Sequence, residues 1–202
     1  MSIEETSRRR GRPRDPAIDA AILKAARSIL ARKGFVGTSM DEIARTAGVG
    51  KDTLYRRWKS KEELVRHLLS VLAEETVPVP ALDDPHYALF VFLQDIVRAN
   101  TNSDLGPIIA GVVGESRRNE NLAQGFHNFW AERRDKAAGL VRRIVSDDTT
   151  DEELEYTLDD ILGPIYYRLL LTGAPVDDEY LWDLIVSLPW SPTEHLKQTN
   201  TA

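Results

Sequence analysis

Four side chains in the run Lys51–Trp58, KDTLYRRW, have the types and spacing to read the edge of a nucleic-acid groove. At about 100° per residue, Leu54 and Trp58 define the inner side of a helix. Asp52 and Arg56 then point most directly outward, with Thr53 and Tyr55 on the flanks. An arginine can pair bidentately with guanine, an acid can accept from cytosine N4, and flanking hydroxyls and cations meet phosphate oxygens. Asp52 could instead pair with Arg56 four residues on and neutralise it. An ordinary solvated helix face would carry similar residues, so the elements that hold this helix decide between the two.

Those elements are legible on both sides. Ser39 and Glu42 have the spacing of a capping box, and Met40, Ile43, Ala44 and Ala47 follow at helical intervals. Gly48 suits the left-handed residue that ends a helix, and Gly50 can cap the next one. Ser60 with Glu63 opens a further, longer helix that continues through Leu64, Leu68, Leu69 and Leu72. Helix, glycine-bearing turn, helix is the layout of a helix-turn-helix. Upstream, Asp15-Pro16 reads as a helix start, with Ile18, Ile22, Ala25, Ala26, Ile29 and Leu30 as its apolar stripe and Gly34 as its stop. Phe35, Ile43, Leu54 and Trp58 would form the core of this head.

Charge separates the head from the rest. The whole chain of 202 residues carries a net −6, yet residues 1–67 hold 16 Lys or Arg against 9 Asp or Glu. The remaining residues hold 10 against 23, an acidic body on a basic head. Residues 1–14, with Arg8, Arg9, Arg10, Arg12 and Arg14, lack apolar periodicity and are expected to be disordered when free. Arg10-Gly11-Arg12-Pro13 resembles the AT-hook, in which arginines enter a narrow A·T-rich minor groove. With no cysteine and four scattered histidines, neither a disulfide nor a metal site is expected. No apolar run is long enough to span a membrane, and no secretory signal is visible, so a cytoplasmic protein is expected, nucleoid-associated when bound to DNA. No nucleophile–base spacing, phosphate loop or dinucleotide fingerprint points to an enzyme, and no cofactor is expected. The acidic pairs, such as Asp83-Asp84 and Asp147-Asp148, are explained by helix capping and the helix dipole.

The run Thr38–Val49, then Thr53-Leu54-Tyr55-Arg56-Arg57-Trp58, then Ser60-Lys61-Glu62-Glu63-Leu64 resembles the TetR family of bacterial transcriptional regulators. The I-A-x-x-A-G-V core, the T-L-Y tripeptide, the aromatic three residues later and the S-K-E helix start all fall in register. The likeness covers roughly the first third of the chain. It departs at Gly50, often serine in the family, and at Asp52, more usually glycine or alanine. The resemblance implies an all-α fold, with an N-terminal three-helix DNA-binding head and a helical ligand-binding and dimerisation body. It implies a repressor that binds a partly palindromic duplex operator as a homodimer and is released by a small-molecule effector. With the arm, the expected DNA contacts are Arg10, Arg12, Thr38, Ser39, Arg45, Lys51, Asp52, Thr53, Tyr55, Arg56, Arg57 and Lys61. Tyr55 and Lys61 would meet phosphates as their family counterparts do. The rival reading is an architectural protein that binds A·T-rich DNA through the arginine arm alone, without an effector.

The expected divisions are the arm at 1–14, the head at 15–66, the body at 67–190 and a tail at 191–202. Within the body, Tyr87–Val97 is apolar all round and reads as buried. Leu105–Gly114 is rich in glycine, for close helix approach or for ligand space. A long helix over 121–145 should present Leu122, Phe126, Phe129 and Trp130 inward, and Arg133, Arg134, Lys136, Arg142 and Arg143 to solvent. A helix over 151–172 is expected to kink at Gly163-Pro164. Phe90, Leu93, Ile109, Phe126, Phe129, Trp130 and Tyr166 are the candidate walls of a pocket for a small apolar effector. Leu158, Ile161, Ile165 and Leu169, with Leu181, Leu184, Ile185 and Leu188 of a final helix, are the candidate dimer residues. Their stripes are broader than one small core would use.

Overall fold

The computed structural model describes residues 15–188, and among these the chain is all-helical. The head comprises α1 (Pro16–Lys33), α2 (Met40–Thr46) and α3 (Lys51–Arg57). Then come α4 (Lys61–Thr76), α5 (Pro85–Asn102), α6 (Leu105–Ser116) and α7 (Glu120–Val141). After α8 (Asp151–Tyr167) a π-helical turn (Arg168–Thr172) leads to α9 (Asp178–Val186). The arginine arm and the tail lie outside the described residues.

Short polar side chains set most of the helix starts. Asp15, Ser39, Ser60, Asp84, Asn119, Thr150 and Asp177 each accept a backbone N–H from the first turn. The two boxes expected from sequence are only half made. The Glu42 carboxylate turns away to Lys33 at 2.7 Å, and Glu63 takes the N–H of Lys59 at 2.6 Å. The reciprocated box is at Thr150 and Glu153, the same T-x-x-E spacing at the start of α8. Hydrogen bonds from Thr150 hold the Glu153 carboxyl below its usual pKa. The carboxylate therefore favours the fold above the ordinary carboxylate pKa, and loses that effect as pH falls through the depressed value. Thr150→Ala should cost about 1 kcal/mol, read as a fall in Tm; no change would mean that α8 starts without its cap.

One apolar core runs the length of the molecule. Ile22 and Ile29 of α1, Leu64 and Leu68 of α4, Phe92 and Leu93 of α5 and Ile165 of α8 are all buried in it. Helix α4 serves both halves, packing on α1 at one end and on α7 at the other. Between α5 and α6 the chain folds back so tightly that a Cβ on Gly106 would stand 2.7 Å from the Asn100 carbonyl carbon and 2.9 Å from its Cα. Close approach thus explains this glycine.

Three body expectations change. Helix α5 is not buried all round: Tyr87 is exposed and Val91 and Val97 are half-buried, because α5 packs on α6, α7 and α9 but not on every side. Helix α8, with Pro164 inside it, ends at Tyr167 rather than Thr172, and the last turn is π-helical, with Gly173 N–H bonding the Arg168 carbonyl. Arg133, expected in solvent, is buried on α7. Arg134 pairs with Glu155 and Asp159 of α8, and Lys136 with Glu74 of α4, so much of this charged face joins helices together.

Candidate nucleic-acid interface and body cavity

The turn before α3 is a Schellman motif. Gly48, at φ +69°, closes α2 while Val49 N–H bonds the Ala44 carbonyl at 3.0 Å and Gly48 N–H bonds that of Arg45 at 3.2 Å. Helix α3 then buries Leu54, and Trp58 at its end donates its indole N–H to His67 Nδ1 of α4 at 3.0 Å. With those two side chains fixed, Asp52, Tyr55 and Arg56 stand exposed and Thr53 is half-buried beside them. Among the described residues no ion pair joins Asp52 to Arg56. The Arg56 guanidinium instead donates to the Thr53 hydroxyl at 3.3 Å. The acid of α3 is therefore not spent on its neighbouring arginine.

Ser39 and Arg45 are also exposed at this surface. Four other expected contacts are engaged within the head. Lys51 pairs with Asp41, and Arg57, nearly buried, pairs with Asp19 of α1. Thr38 is buried and donates its hydroxyl to the Gly34 carbonyl at 2.7 Å. Lys61 donates to the carbonyls of Phe35 and Thr38 at 2.7 and 2.9 Å, 4.0 Å from the centre of the Phe35 ring. Burial lowers the Lys61 pKa, with Glu62 and Glu115 opposing. Thr38, Arg57 and Lys61 thus brace the head that presents α3. Lys61→Met should lower global stability by about 1–3 kcal/mol, because two carbonyls lose a charged donor. Thermal unfolding checks this, and an unchanged Tm would return Lys61 to a purely phosphate-facing role.

In the body, α4 to α8 enclose a cavity of about 20 Å³. Of the candidate walls, Ile109, Phe129, Trp130 and Tyr166 line it. Phe90 does not: it stacks on Trp182 of α9 with ring centres 4.4 Å apart. Leu93 is fully buried in the core, and Phe126 packs on Phe129 and Trp130 rather than on the cavity. Two polar lining residues fall outside the expected set, Arg133 and Asn100. Arg133 gives one terminal nitrogen to the Val77 carbonyl at 2.7 Å. Its other, Nη1, has no hydrogen-bond partner and lies 3.7 Å from the Glu74 carboxylate. Asn100 donates to the Ile96 carbonyl at 2.8 Å, leaving its Oδ1 buried and unsatisfied. Burial pushes the Tyr166 phenol well above its ordinary pKa, with Asn100 and Arg133 acting against it.

The expected dimer residues are placed differently. Leu158, Ile161, Ile165, Leu181, Ile185 and Leu188 are buried inside the single chain, and Leu169 and Leu184 are half-buried. What α8 and its π turn present outward is Tyr156, Tyr167 and Leu171, the last at 76% exposure. Among the described residues no cluster of His, Asp and Glu could hold a metal, and no helix is long and apolar enough to cross a membrane.

Comparison with known proteins agrees with this arrangement. Residues 22–68 match the family described as bacterial regulatory proteins, tetR family. Residues 79–187 match the tetracyclin repressor-like C-terminal domain. The chain is 34% identical over 182 residues to the uncharacterized HTH-type transcriptional regulator YdeS of Bacillus subtilis, covering 89% of this chain and 91% of YdeS. The crystal structure of the TetR family transcription regulator SCO0332 is similar with a TM-score of 0.70 and 27% identity, covering 84% of this chain and 94% of that one. The fold is also that of FadR from B. subtilis, at a TM-score of 0.66 and 16% identity over 83% of this chain and 97% of FadR. The chain belongs to the TetR family of bacterial regulatory proteins.

Proposed function

We propose that this DNA-binding regulator is a repressor that holds a partly palindromic operator as a homodimer and lets go when a small molecule enters its body. The observation that carries the reading is the outward, unneutralised Asp52 and Arg56 on a braced α3, whose support, α4, also walls the body cavity. A ligand in that cavity touches the helix that carries the head. It releases DNA only if it binds the DNA-incompetent arrangement more tightly, since equal affinity for both shifts nothing. FadR, which shares the fold, is known in complex with stearoyl-CoA, and a small-molecule ligand on a regulator of this fold supports the reading. Residues 15–66 would act as the reading head and 67–190 as the regulatory and dimerising body, with 1–14 as a basic arm and 191–202 as a tail.

The dimer surface in this reading is the exposed stripe of Tyr156, Tyr167 and Leu171 rather than the buried leucines beneath it. Replacing Tyr167 and Leu171 together by glutamate should convert the protein to monomers by light scattering, with helicity retained. A variant that stays dimeric would place the interface elsewhere. The test of the whole reading is selection of bound sequences from random duplex DNA at a stated salt concentration. One partly symmetric site with half-sites about a helical turn apart supports a dimeric sequence reader. Enrichment of A·T-rich DNA without symmetry, lost on removal of residues 1–14, would replace it with the architectural alternative.

A further inference from the structure

We propose that the body cavity, in an expanded arrangement, takes a small apolar carboxylate, an aromatic acid bearing a hydroxyl group answering both of its polar walls, and that the charge of the acid is sensed by Arg133. This rests on the effector reading above and names the class of effector. A buried guanidinium is costly unless its donors are used, and Val77 and Glu74 engage this one while leaving its Nη1 without a hydrogen bond. Among the described residues Arg133 is the one charged side chain that lines this cavity, and Nη1 has no hydrogen-bond partner there. The other walls are mostly aromatic or aliphatic, with Phe129, Trp130 and Ile109 among them. Such a site recognises a molecule with an apolar body and one anionic end, and a carboxylate matches the guanidinium fork.

Asn100 adds a second requirement. One amide N–H goes to Ile96, and the buried Oδ1, a carbonyl oxygen that only accepts, has no hydrogen-bond partner, so a ligand hydroxyl would satisfy it. At about 20 Å³ the cavity has room for little more than one water. An aromatic acid must therefore bind an expanded arrangement, which is what gives it different affinity for two states. The link to the head is direct. The same guanidinium that would meet the acid donates to Val77, the residue ending α4, and faces Glu74 one turn earlier. A carboxylate competes with both for Arg133 and so loosens the hold of α7 on the end of α4.

The test is calorimetric titration of the full-length protein with benzoate, 3-hydroxybenzoate, salicylate and hexanoate, set against benzamide, benzyl alcohol and benzylamine. Wild type should bind at least one acid tenfold or more tighter than its neutral and cationic counterparts. That acid should also compete with the selected operator DNA. Arg133→Met should erase the difference between acid and amide, whereas Arg133→Lys should retain part of it. The wild-type comparison stands even if a variant folds poorly. Equal binding of acids and amides, preserved acid preference in Arg133→Met, or no acid binding at millimolar concentration overturns the proposal. If neutral compounds bind and release DNA while acids do not, the effector reading survives and the anionic class is wrong.

Discussion

Arg56→Ala should weaken binding to the selected operator by about 2–6 kcal/mol, roughly 30-fold to 10⁴-fold, in the dimeric protein. The figure follows from about 1–3 kcal/mol for a bidentate base contact, lost once in each half-site. Arg56 is exposed on α3 and, among the described residues, has only the Thr53 hydroxyl as an intramolecular partner, so its removal should cost the free protein little stability. Repeating the selection with the variant should abolish preference at one base position per half-site and leave the others intact. Tyr55→Phe makes the contrast: loss of a phosphate contact weakens all sequences alike. Asp52 supplies a sharper control. Near DNA an acid repels phosphates, so Asp52→Ala should raise affinity for arbitrary sequences while relaxing preference at a cytosine. If Arg56→Ala instead lowers affinity uniformly, α3 holds the backbone and bases are read elsewhere.

Gly106→Ala should be the most damaging single methyl group in the body, costing about 3 kcal/mol or more. The added carbon would meet the Asn100 backbone rather than a side chain that could swing aside. For a chain of this size the expected fall in Tm is roughly 6–12 °C. Asn100 also lines the cavity, so the displaced turn should disturb ligand binding as well as stability. Gly114, later in the same helix, is exposed, and a methyl group there would meet nothing within 4 Å. Gly114→Ala should therefore gain up to about 1 kcal/mol from helix propensity. Opposite signs for the two variants in thermal unfolding are the expected result. Comparable losses at both would mean that α6 is limited by something other than its approach to α5.

The contrast between these glycines indicates what a sequence can and cannot disclose. Caps, the Gly48 turn and the faces of α3 depend on residues within a few positions of one another, and they are readable. The partners of Lys61 and Arg57 lie 23 to 42 positions away, and a cation whose partner is distant looks the same in sequence as a free one. The leucine stripes of α8 and α9 have the right width for burial, but width alone does not say whether the covering helix belongs to the same chain. The π turn at Arg168 has no signal at all. Arg133 does have one. Phe126, Trp130, Arg133, Ala137 and Leu140 follow core spacing, and Asn100 continues Leu89, Leu93 and Ile96 in the same way. A polar residue at a core position is the mark of the cavity, and it is missed when charge is weighed before place in the stripe.

Helix α4 has a consequence for anyone who would recombine regulators of this family. A junction placed at residue 66 would divide one continuous helix, separating Leu64 and Val65 from Leu68, Leu69 and Leu72, which share a single buried row. The head so excised would lack the floor on which α1 rests, and the recipient body would acquire a helix whose inner face was shaped for another partner. A chimaera joined in the Val77–Pro80 linker keeps that row intact, and its folding then rests on whether the recipient's α7 accepts a foreign α4. It would, however, transplant Glu74 and the Val77 carbonyl away from Arg133, yielding a protein that reads the donor's operator and no longer hears the recipient's ligand.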